Sequence, residues 1–339
     1  MKPPKLGLTI GLGAGALASA GYASAVGLAR RQPAQSAADE ELEAILDRWL
    51  GRLGQRGSHH YIQTPVGRIH ALELGQGPRP LVFLHGLGAS VGEYAGLAAE
   101  LATGFRVIAI DRPGSGLSDP VQFRGHPRSA WDKAVLGVAD RLGLGRFDLV
   151  GHSLGGLAAG GFALDHGERV EHLVLLSPVG ISARLPWIWG MSMIPGITDL
   201  LGAAARLQLA RQSAAPPAGE AEAALAQLDP DLARYRYLVG SRFVRGADLE
   251  VVPRLMRPFG FRAETLLLPG LDAVAERTLV IWGDRDNQVA MAPARAELQR
   301  HPAITLQLLA GAGHLFPFED PAGTALRIAQ WCGEPAASS

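Results

Sequence analysis

The chain has 339 residues, of which 47% are hydrophobic and 19% are charged. Its 32 basic and 32 acidic residues cancel, so the charge balance gives no reason to expect nucleic acid or another strongly charged partner. The single cysteine, Cys332, excludes an intramolecular disulfide and a metal site built from cysteines. Length and apolar content predict one large domain, or a domain with an insertion.

Residues 1–31 differ in composition from the rest of the chain. An uncharged stretch, residues 6–29, is rich in glycine, alanine and leucine, and is preceded by lysines and followed by arginines. This pattern is typical of a secretory signal peptide, and at about 1.5 Å per residue the stretch is also long enough for a membrane anchor. We therefore expect a protein that is exported, or anchored to a membrane through residues 6–29, rather than cytoplasmic. A buried helix is disfavoured because glycine destabilises helices and the stretch has no polar face.

Residues 32–57 predict a polar connector followed by an amphipathic helix. Acidic residues lead the helix and arginines end it, as the helix dipole favours. The apolar side chains recur at helical spacing: Leu42, Ile45, Leu46, Trp49 and Leu53. We expect this stripe to pack on the following domain, with docking on a membrane surface as the alternative.

Strand patterns begin near residue 58. Residues 60–77 predict a β-hairpin, and the apolar run that follows suits a strand buried on both faces. This run ends in HGLG, where backbone N–H groups would point into the cleft in which open α/β sheets bind ligands. We expect the N–H of Leu87 to donate to an oxyanion. His85 either braces this loop, which we favour, or lines the substrate pocket.

Residues 146–162, RFDLVGHSLGGLAAGGF, predict a strand, a sharp turn and a helix, with Ser153 at the apex. A serine in this position adopts a strained backbone, and its neighbours Gly151 and Gly155 leave the space that such a turn needs. The turn directs the N-terminus of the helix at the reaction centre. The free N–H of Leu154 is then a second oxyanion donor beside the nucleophile.

Further strands are predicted at residues 105–110, 170–178, 277–283 and 304–309, and the alternation of strands and helices is interrupted at about 179–275. Polar residues follow the last two strands at the edge of the sheet that holds the serine. Among them, His314 is expected to take the serine proton. Asp286 or Asp284 would orient the imidazole.

The ordered set of HGLG at 85–88, DRPGSGLSD at 111–119 and GHSLGG at 151–156 resembles the α/β-hydrolase fold family, over about residues 58–333. The resemblance implies an α/β fold with a doubly wound, mostly parallel eight-stranded sheet. It also implies a helical cap inserted at about 179–275, and we expect residues 334–339 to form a disordered tail.

The family's order of serine, acid and histidine implies a triad of Ser153, Asp286 and His314. Asp286 is preferred over Asp284 because the acid in this family usually stands three residues after the glycine that ends the strand, here Gly283. The resemblance implies neither a metal nor an organic cofactor. Because a serine occupies the nucleophile position, dehalogenase and epoxide-hydrolase chemistry, which uses aspartate, is disfavoured.

The cap segment is apolar, and we expect Trp187, Trp189 and Met191 to line the substrate pocket. These features predict a serine hydrolase that cleaves a carboxylic ester with an apolar acyl or alkyl part through an acyl-enzyme. The resemblance also implies alternatives, because members of this family with the same triad hydrolyse carbon–carbon bonds, thioesters or amides, or form peracids. A binding protein that keeps the fold without turnover is the alternative from another class.

Overall fold

The computed structural model describes residues 37–182, 231, 234–235, 238–239, 248–257, 260–289 and 291–333. The described residues from Glu41 onward belong to one compact unit. Within the described ranges, no helix combines the length and apolar character needed to cross a bilayer. The predicted signal peptide or anchor at residues 6–29 and the predicted tail at 334–339 lie outside these ranges, so both stay predictions.

An eight-stranded sheet forms the centre of the fold. Its strands are β1 (Ser58–Thr64), β2 (Gly67–Leu74), β3 (Arg79–Leu84), β4 (Phe105–Ile110), β5 (Phe147–His152), β6 (Val170–Leu176), β9 (Thr278–Gly283) and β10 (Thr305–Leu309). They lie in the order β1-β2-β4-β3-β5-β6-β9-β10. The pairs β1/β2 and β2/β4 are antiparallel and the other neighbours are parallel. The predicted mostly parallel eight-stranded sheet is therefore confirmed.

Helices and one small hairpin accompany the sheet. The α-helices whose bounds fall within the described residues are α1 (Ala37–Arg52), α2 (Ala95–Leu101), α3 (Arg128–Arg141), α4 (Leu154–Asp165), α5 (Asp248–Leu255), α6 (Leu268–Leu271), α7 (Met291–Leu298), α8 (Phe316–Glu319) and α9 (Pro321–Trp331). Strands β7 (Met256–Arg257) and β8 (Gly260–Phe261) form the hairpin.

In the central strands β3, β4, β5, β6 and β9 both faces of the sheet are mostly buried, which explains their continuous apolar runs. Along β3, Val82 and Leu84 belong to a core cluster that includes Trp131 of α3. Phe83, between them, packs on the other side of the sheet, where its ring centroid lies 4.5 Å from that of Tyr94. Alternate residues of one strand thus enter two separate apolar layers.

Helix α1 packs through most of the predicted stripe. Leu42, Ile45 and Leu46 are buried, as the spacing predicts. Leu53 is 41% exposed, and Leu50 is buried instead. The reason is that the helix ends at Arg52, so Leu53 falls in the closing turn, whereas Leu50 follows Leu46 by four residues on the same face.

The sheet topology determines where functional groups can meet. The parallel strands β3, β5, β6, β9 and β10 end at a common edge, which we call the carboxyl edge. Ser153 follows β5 at this edge, and the loop after β3 begins at His85. Residues 284–290 follow β9, and residues 310–315 follow β10. Open α/β sheets bind ligands outside this edge.

Candidate active site

Ser153 stands at the apex of a strained turn between β5 and α4. Its φ of 56° lies in the left-handed region, which favours glycine, and its ψ is −116°. A Cβ at position 151 would overlap the carbonyl oxygen of Gly155, and a Cβ at position 155 would overlap that of Leu84. The two flanking glycines are therefore required by close backbone approach.

Hydrogen bonds hold this turn in place. The Ser153 N–H donates to the carbonyl of Leu176 in the neighbouring strand, at 2.9 Å. The Ser153 carbonyl accepts from the N–H groups of Gly156 at 3.0 Å and Val179 at 3.1 Å. These bonds to neighbouring elements hold the Ser153 backbone in its strained conformation. Strain of this kind persists at functional sites only where the surrounding structure maintains it.

Asp286 and His314 form a buried pair. The Oδ2 atom of Asp286 lies 2.7 Å from Nδ1 of His314, and the aspartate side chain is fully buried. Its Oδ1 accepts from the backbone N–H groups of Gln288 and Val289, both at 2.9 Å, and Oδ2 accepts from the indole of Trp282 at 3.0 Å. These donors fix the position of the carboxylate.

The same contacts determine the charge of Asp286. Burial by itself would raise the pKa of this carboxyl, but its hydrogen bond with His314 and the backbone donor Val289 act in the opposite direction. The net effect holds the pKa of Asp286 below its ordinary value. The carboxylate is therefore ionised at neutral pH and accepts the Nδ1 proton of His314.

Asp284 is placed differently. Its side chain is exposed, and its Oδ1 accepts from the N–H of Gly311 at 2.7 Å, which braces the turn after β10. Arg285, between the two aspartates, is exposed. The structure therefore brings Asp286, and not Asp284, to His314.

The two predicted oxyanion donors lie beside Ser153. Leu87 and Leu154 line the same cavity as Ser153 and His314. Neither backbone N–H has a hydrogen-bond acceptor within the described part of the chain. The loop that carries Leu87 passes close to the nucleophile, since a Cβ at Gly86 would come within 3.3 Å of the Ser153 Cβ.

His85 does not line this cavity, which corrects its assignment to the substrate pocket. The side chain is completely buried beneath the loop. Its Nε2 accepts from the Arg112 N–H at 3.0 Å, so its Nδ1 donates to the Gly86 carbonyl at 2.9 Å. The Arg112 guanidinium also donates to the carbonyls of His85 and Gly86, at 3.0 and 2.9 Å. His85 occupies the bracing position that we favoured from the sequence.

A cavity of about 680 Å³ opens above Ser153. The described polar side chains in its wall, besides Ser153 and the histidines, are Glu93, Tyr94, Gln288 and Glu319. Most of the other lining side chains are apolar: Trp49, Leu87, Leu97, Leu154, Val179, Val252, Leu255, Met256, Phe261, Val289, Leu315 and Phe318. Trp187, Trp189 and Met191 lie outside the described residues, so their place in the pocket stays a prediction.

Sequence reasoning missed three residues near the cavity. Trp49 was expected to pack with its helix, yet it lines the cavity. Tyr94 and His152 form a hydrogen-bonded pair next to the nucleophile. In the sequence, the only feature that indicated a role for His152 at the site was its position as a polar residue at the end of a buried strand. Tyr94 carried no such feature, because its partners lie far away in sequence.

One group of side chains has the composition of a metal site. Among the described residues, ligand atoms of Asp148, His172 and Cys332 lie within 4.8 Å of one another. They lie near the opposite edge of the sheet from Ser153, because Asp148 and His172 stand near the beginnings of β5 and β6. The guanidinium of Arg79 donates to both Asp148 oxygens, at 2.9 and 3.2 Å, and supplies the positive charge that a cation would bring.

Comparison with known proteins supports the fold. A profile described as the alpha/beta hydrolase family matches residues 81–327. A 2-hydroxy-6-oxo-6-phenylhexa-2,4-dienoate hydrolase of Burkholderia cepacia is 29% identical over 264 residues, covering 74% of this chain and 86% of that protein. A 2-hydroxy-6-oxononadienedioate/2-hydroxy-6-oxononatrienedioate hydrolase of Pseudomonas putida is 29% identical over 262 residues, covering 74% and 87%.

Solved structures share the same architecture. A carboxylesterase from Bacillus subtilis superposes with a TM-score of 0.62 at 19% identity, covering 88% of this chain and 99% of that one. A membrane phospholipase A superposes with a TM-score of 0.64 at 22% identity, covering 86% and 89%. At these identities the likeness shows the fold alone. The profile match over most of the chain, on this fold, shows that the chain belongs to the alpha/beta hydrolase family.

Proposed function

We propose that this chain is a serine hydrolase that cleaves a bond beside a carbonyl carbon in a small, largely apolar substrate. The observation that carries the proposal is the buried Asp286–His314 pair, 2.7 Å apart, whose histidine lines the same cavity as the strained Ser153. A nucleophile, a base and a group that orients the base are the components of nucleophilic acyl transfer.

In the proposed first step, Ser153 Oγ attacks the carbonyl carbon while Nε2 of His314 takes its proton. Asp286 accepts the Nδ1 proton, which leaves Nε2 free as the base and stabilises the imidazolium that forms. The N–H groups of Leu87 and Leu154 then donate to the developing oxyanion. Such preorganised donors are worth about 10²–10³-fold in rate each.

In the second half of the reaction, His314 returns the proton to the leaving group and an acyl-enzyme remains. Water attacks this ester with His314 again as the base, and Ser153 is regenerated. No step in this sequence requires a metal or an organic cofactor.

For the bond that is cleaved, we propose a carbon–carbon bond next to a ketone. The support is the similarity along most of the chain to hydrolases whose names give 2-hydroxy-6-oxo-dienoates as substrates. The chemistry is consistent with the same triad. Once the dienol of such a substrate becomes a ketone, the carbon that leaves is stabilised as a conjugated enolate, and His314 can protonate it.

Ester hydrolysis is the second candidate, and the cavity wall favours it. The described carboxylates in the wall are Glu93 and Glu319, and the described part of the wall contains no lysine or arginine. A dienoate carboxylate in this cavity would lie near like charges without a described cation to offset them. A neutral ester with an apolar acyl chain meets no such cost.

One experiment separates the two candidates. Purified enzyme is given 2-hydroxy-6-oxo-6-phenylhexa-2,4-dienoate in one series and p-nitrophenyl esters of increasing chain length in the other, with Ser153→Ala as the control in both. A carbon–carbon hydrolase has the larger kcat/KM with the dienoate, and an esterase has the larger value with an ester. If neither series shows turnover and a fluorophosphonate fails to label Ser153, the chain is not a serine hydrolase.

A further inference from the structure

His152, the residue before the nucleophile, connects two parts of the site that are distant in sequence. Its ring is buried, and Nε2 lies 3.0 Å from the backbone carbonyl oxygen of His314. Its Nδ1 lies 2.6 Å from the hydroxyl of Tyr94. That hydroxyl also accepts from the N–H of Gly86, at 3.3 Å. An unbroken path of hydrogen bonds therefore joins the backbone of His314 to the loop beside Ser153.

The chemistry of the partners assigns the protons in this path. A carbonyl oxygen only accepts, so Nε2 of His152 carries the hydrogen, and Nδ1 of the neutral ring accepts from the Tyr94 hydroxyl. Burial, together with the nearby ring of His314, lowers the pKa of His152 to about 3. The ring is therefore neutral at neutral pH, and its two nitrogens are both occupied.

Packing makes this path rigid. Tyr94 is 1% exposed, and its ring lies between Phe83 and Phe318, with centroid distances of 4.5 and 4.4 Å. The ring of His152 lies 4.8 Å from the ring of His314, centroid to centroid. Close packing against these aromatic neighbours restrains both side chains.

The proposed mechanism leaves this pair unused. With its two nitrogens engaged, His152 has no lone pair for a proton from substrate, and the Tyr94 hydroxyl donates its proton to His152. The pair contacts the backbone of the base and the residue that precedes the oxyanion donor Leu87. Groups in such positions act on geometry, and a misplacement of about 1 Å costs up to about 10²-fold in rate.

We propose that His152 and Tyr94 are positioning residues that fix His314 relative to the oxyanion loop, residues 86–88. This inference rests on the proposed function, since it assigns His314 as the base and Leu87 as a donor. Both side chains line the cavity, but their polar atoms bind each other and backbone atoms, so we expect their loss to lower kcat and to leave substrate binding nearly unchanged.

Three variants separate the two ends of the path. Tyr94→Phe removes one hydroxyl and keeps the ring. In His152→Asn, the amide oxygen can accept from Tyr94 at about the position of Nδ1, but the donor to His314 is lost. In His152→Gln, the amide nitrogen can reach the carbonyl of His314, and the acceptor for Tyr94 is lost. Tyr61→Phe is the matched control, because it deletes a tyrosine hydroxyl that donates to Glu43 from the edge strand β1.

For Tyr94→Phe and His152→Asn we expect kcat to fall about 10- to 100-fold while KM changes less than about threefold. The rate of fluorophosphonate labelling should fall with kcat. His152→Gln should recover part of the loss in His152→Asn, because it restores the donor to His314. Tyr61→Phe should stay within about twofold of wild type. All assays are run well below the melting temperature of each variant and are normalised to folded protein.

The possible results have different meanings. If the three variants melt at lower temperatures but keep kcat and the labelling rate within twofold of wild type, the pair is merely structural and the positioning role is wrong, while the proposed function stands. An increase in KM at constant kcat also overturns the proposal, because it would indicate a substrate contact. If wild-type enzyme is neither active nor labelled, the proposed function fails, and this inference fails with it.

Discussion

Among the aspartate–histidine pairs of the described residues, two of nearly identical length lie at opposite edges of the central sheet. Asp286 and His314 lie 2.7 Å apart at the carboxyl edge, and Asp148 and His172 lie 2.8 Å apart near the amino ends of β5 and β6. Both aspartate side chains are almost completely buried. The pairing of an acid with a histidine therefore does not distinguish an active site in this molecule.

The surroundings of the two pairs differ. Asp148 and His172 form the amino-edge pair, which contacts the Arg79 guanidinium and the Cys332 side chain. Burial raises the pKa of Asp148, although these contacts act in the opposite direction. At the carboxyl edge, backbone N–H groups and an indole bind Asp286, and the net effect lowers its pKa. Of the two histidines, His314 lines the cavity that contains the strained Ser153, and His172 does not. The order of the strands in the sheet determines which groups surround each pair. These groups, rather than the pair itself, determine whether the pair can act on a substrate.

The largest effect should come from removing the nucleophile. Ser153→Ala should lower kcat at least about 10⁴-fold, because only the side-chain oxygen can form the acyl-enzyme. Turnover is measured with whichever substrate class the wild type hydrolyses, and an unchanged melting temperature shows that the fold is intact. A near-normal rate in this variant would mean that Ser153 is not the nucleophile and that Asp286 and His314 do not activate it.

Changing the acid should have the next largest effect. Asp286→Asn keeps the shape of the side chain but favours the wrong tautomer of His314, so kcat should fall about 10³-fold or more. Asp284→Asn is the matched control, and we expect it to lower kcat only a few-fold, since Asp284 binds the N–H of Gly311. Steady-state kinetics in the reverse order would identify Asp284 as the acid.

The amino-edge pair should behave differently. Asp148→Asn replaces a carboxylate that accepts from Arg79 and pairs with His172 by an amide, and because burial already raises the pKa of Asp148, we expect a loss of only about 1 kcal/mol in the free energy of unfolding. The kcat value should stay within about twofold of wild type. Denaturant unfolding and steady-state kinetics measure the two quantities. A large loss of kcat at unchanged stability would show that this edge takes part in the reaction.

Local sequence determined the features that could be predicted. The turn at Ser153 needs glycine at 151 and 155 because backbone atoms approach there, and this requirement is visible within five residues. Long apolar runs identified the buried strands. The order of serine, aspartate and histidine followed from the family resemblance, and the structure brings Asp286 to His314.

Features that depend on strand order or helix ends escaped prediction. Arg79, Asp148, His172 and Cys332 meet only because β3, β5 and β6 are neighbours in space. The link from Tyr94 to His152 likewise joins residues 58 positions apart. Sequence alternation places a side chain on a face of a strand, but it does not identify the element that covers that face.

The smallest effect that we predict is a difference in acid stability at the carboxyl edge. Burial lowers the pKa of His152 from the ordinary 6.5 to about 3. Between these values the unfolded chain binds more protons at this position than the folded chain does. The free energy of unfolding therefore decreases as the pH falls below 6.5. Asp286, whose pKa is lowered, adds a similar loss only at pH values near or below the ordinary aspartate pKa.

The variant His152→Gln isolates this contribution, because glutamine does not titrate. His59 and His126, whose pKa values burial also lowers, remain in both proteins and cancel in the comparison. From pH 8 to pH 5.5, wild type should lose roughly 1 kcal/mol more of its free energy of unfolding than His152→Gln does, since one unit of pKa corresponds to about 1.4 kcal/mol. Urea unfolding at the two pH values measures it. If the two proteins lose the same amount, His152 is not held neutral, and the proton assignment in its path to His314 is wrong.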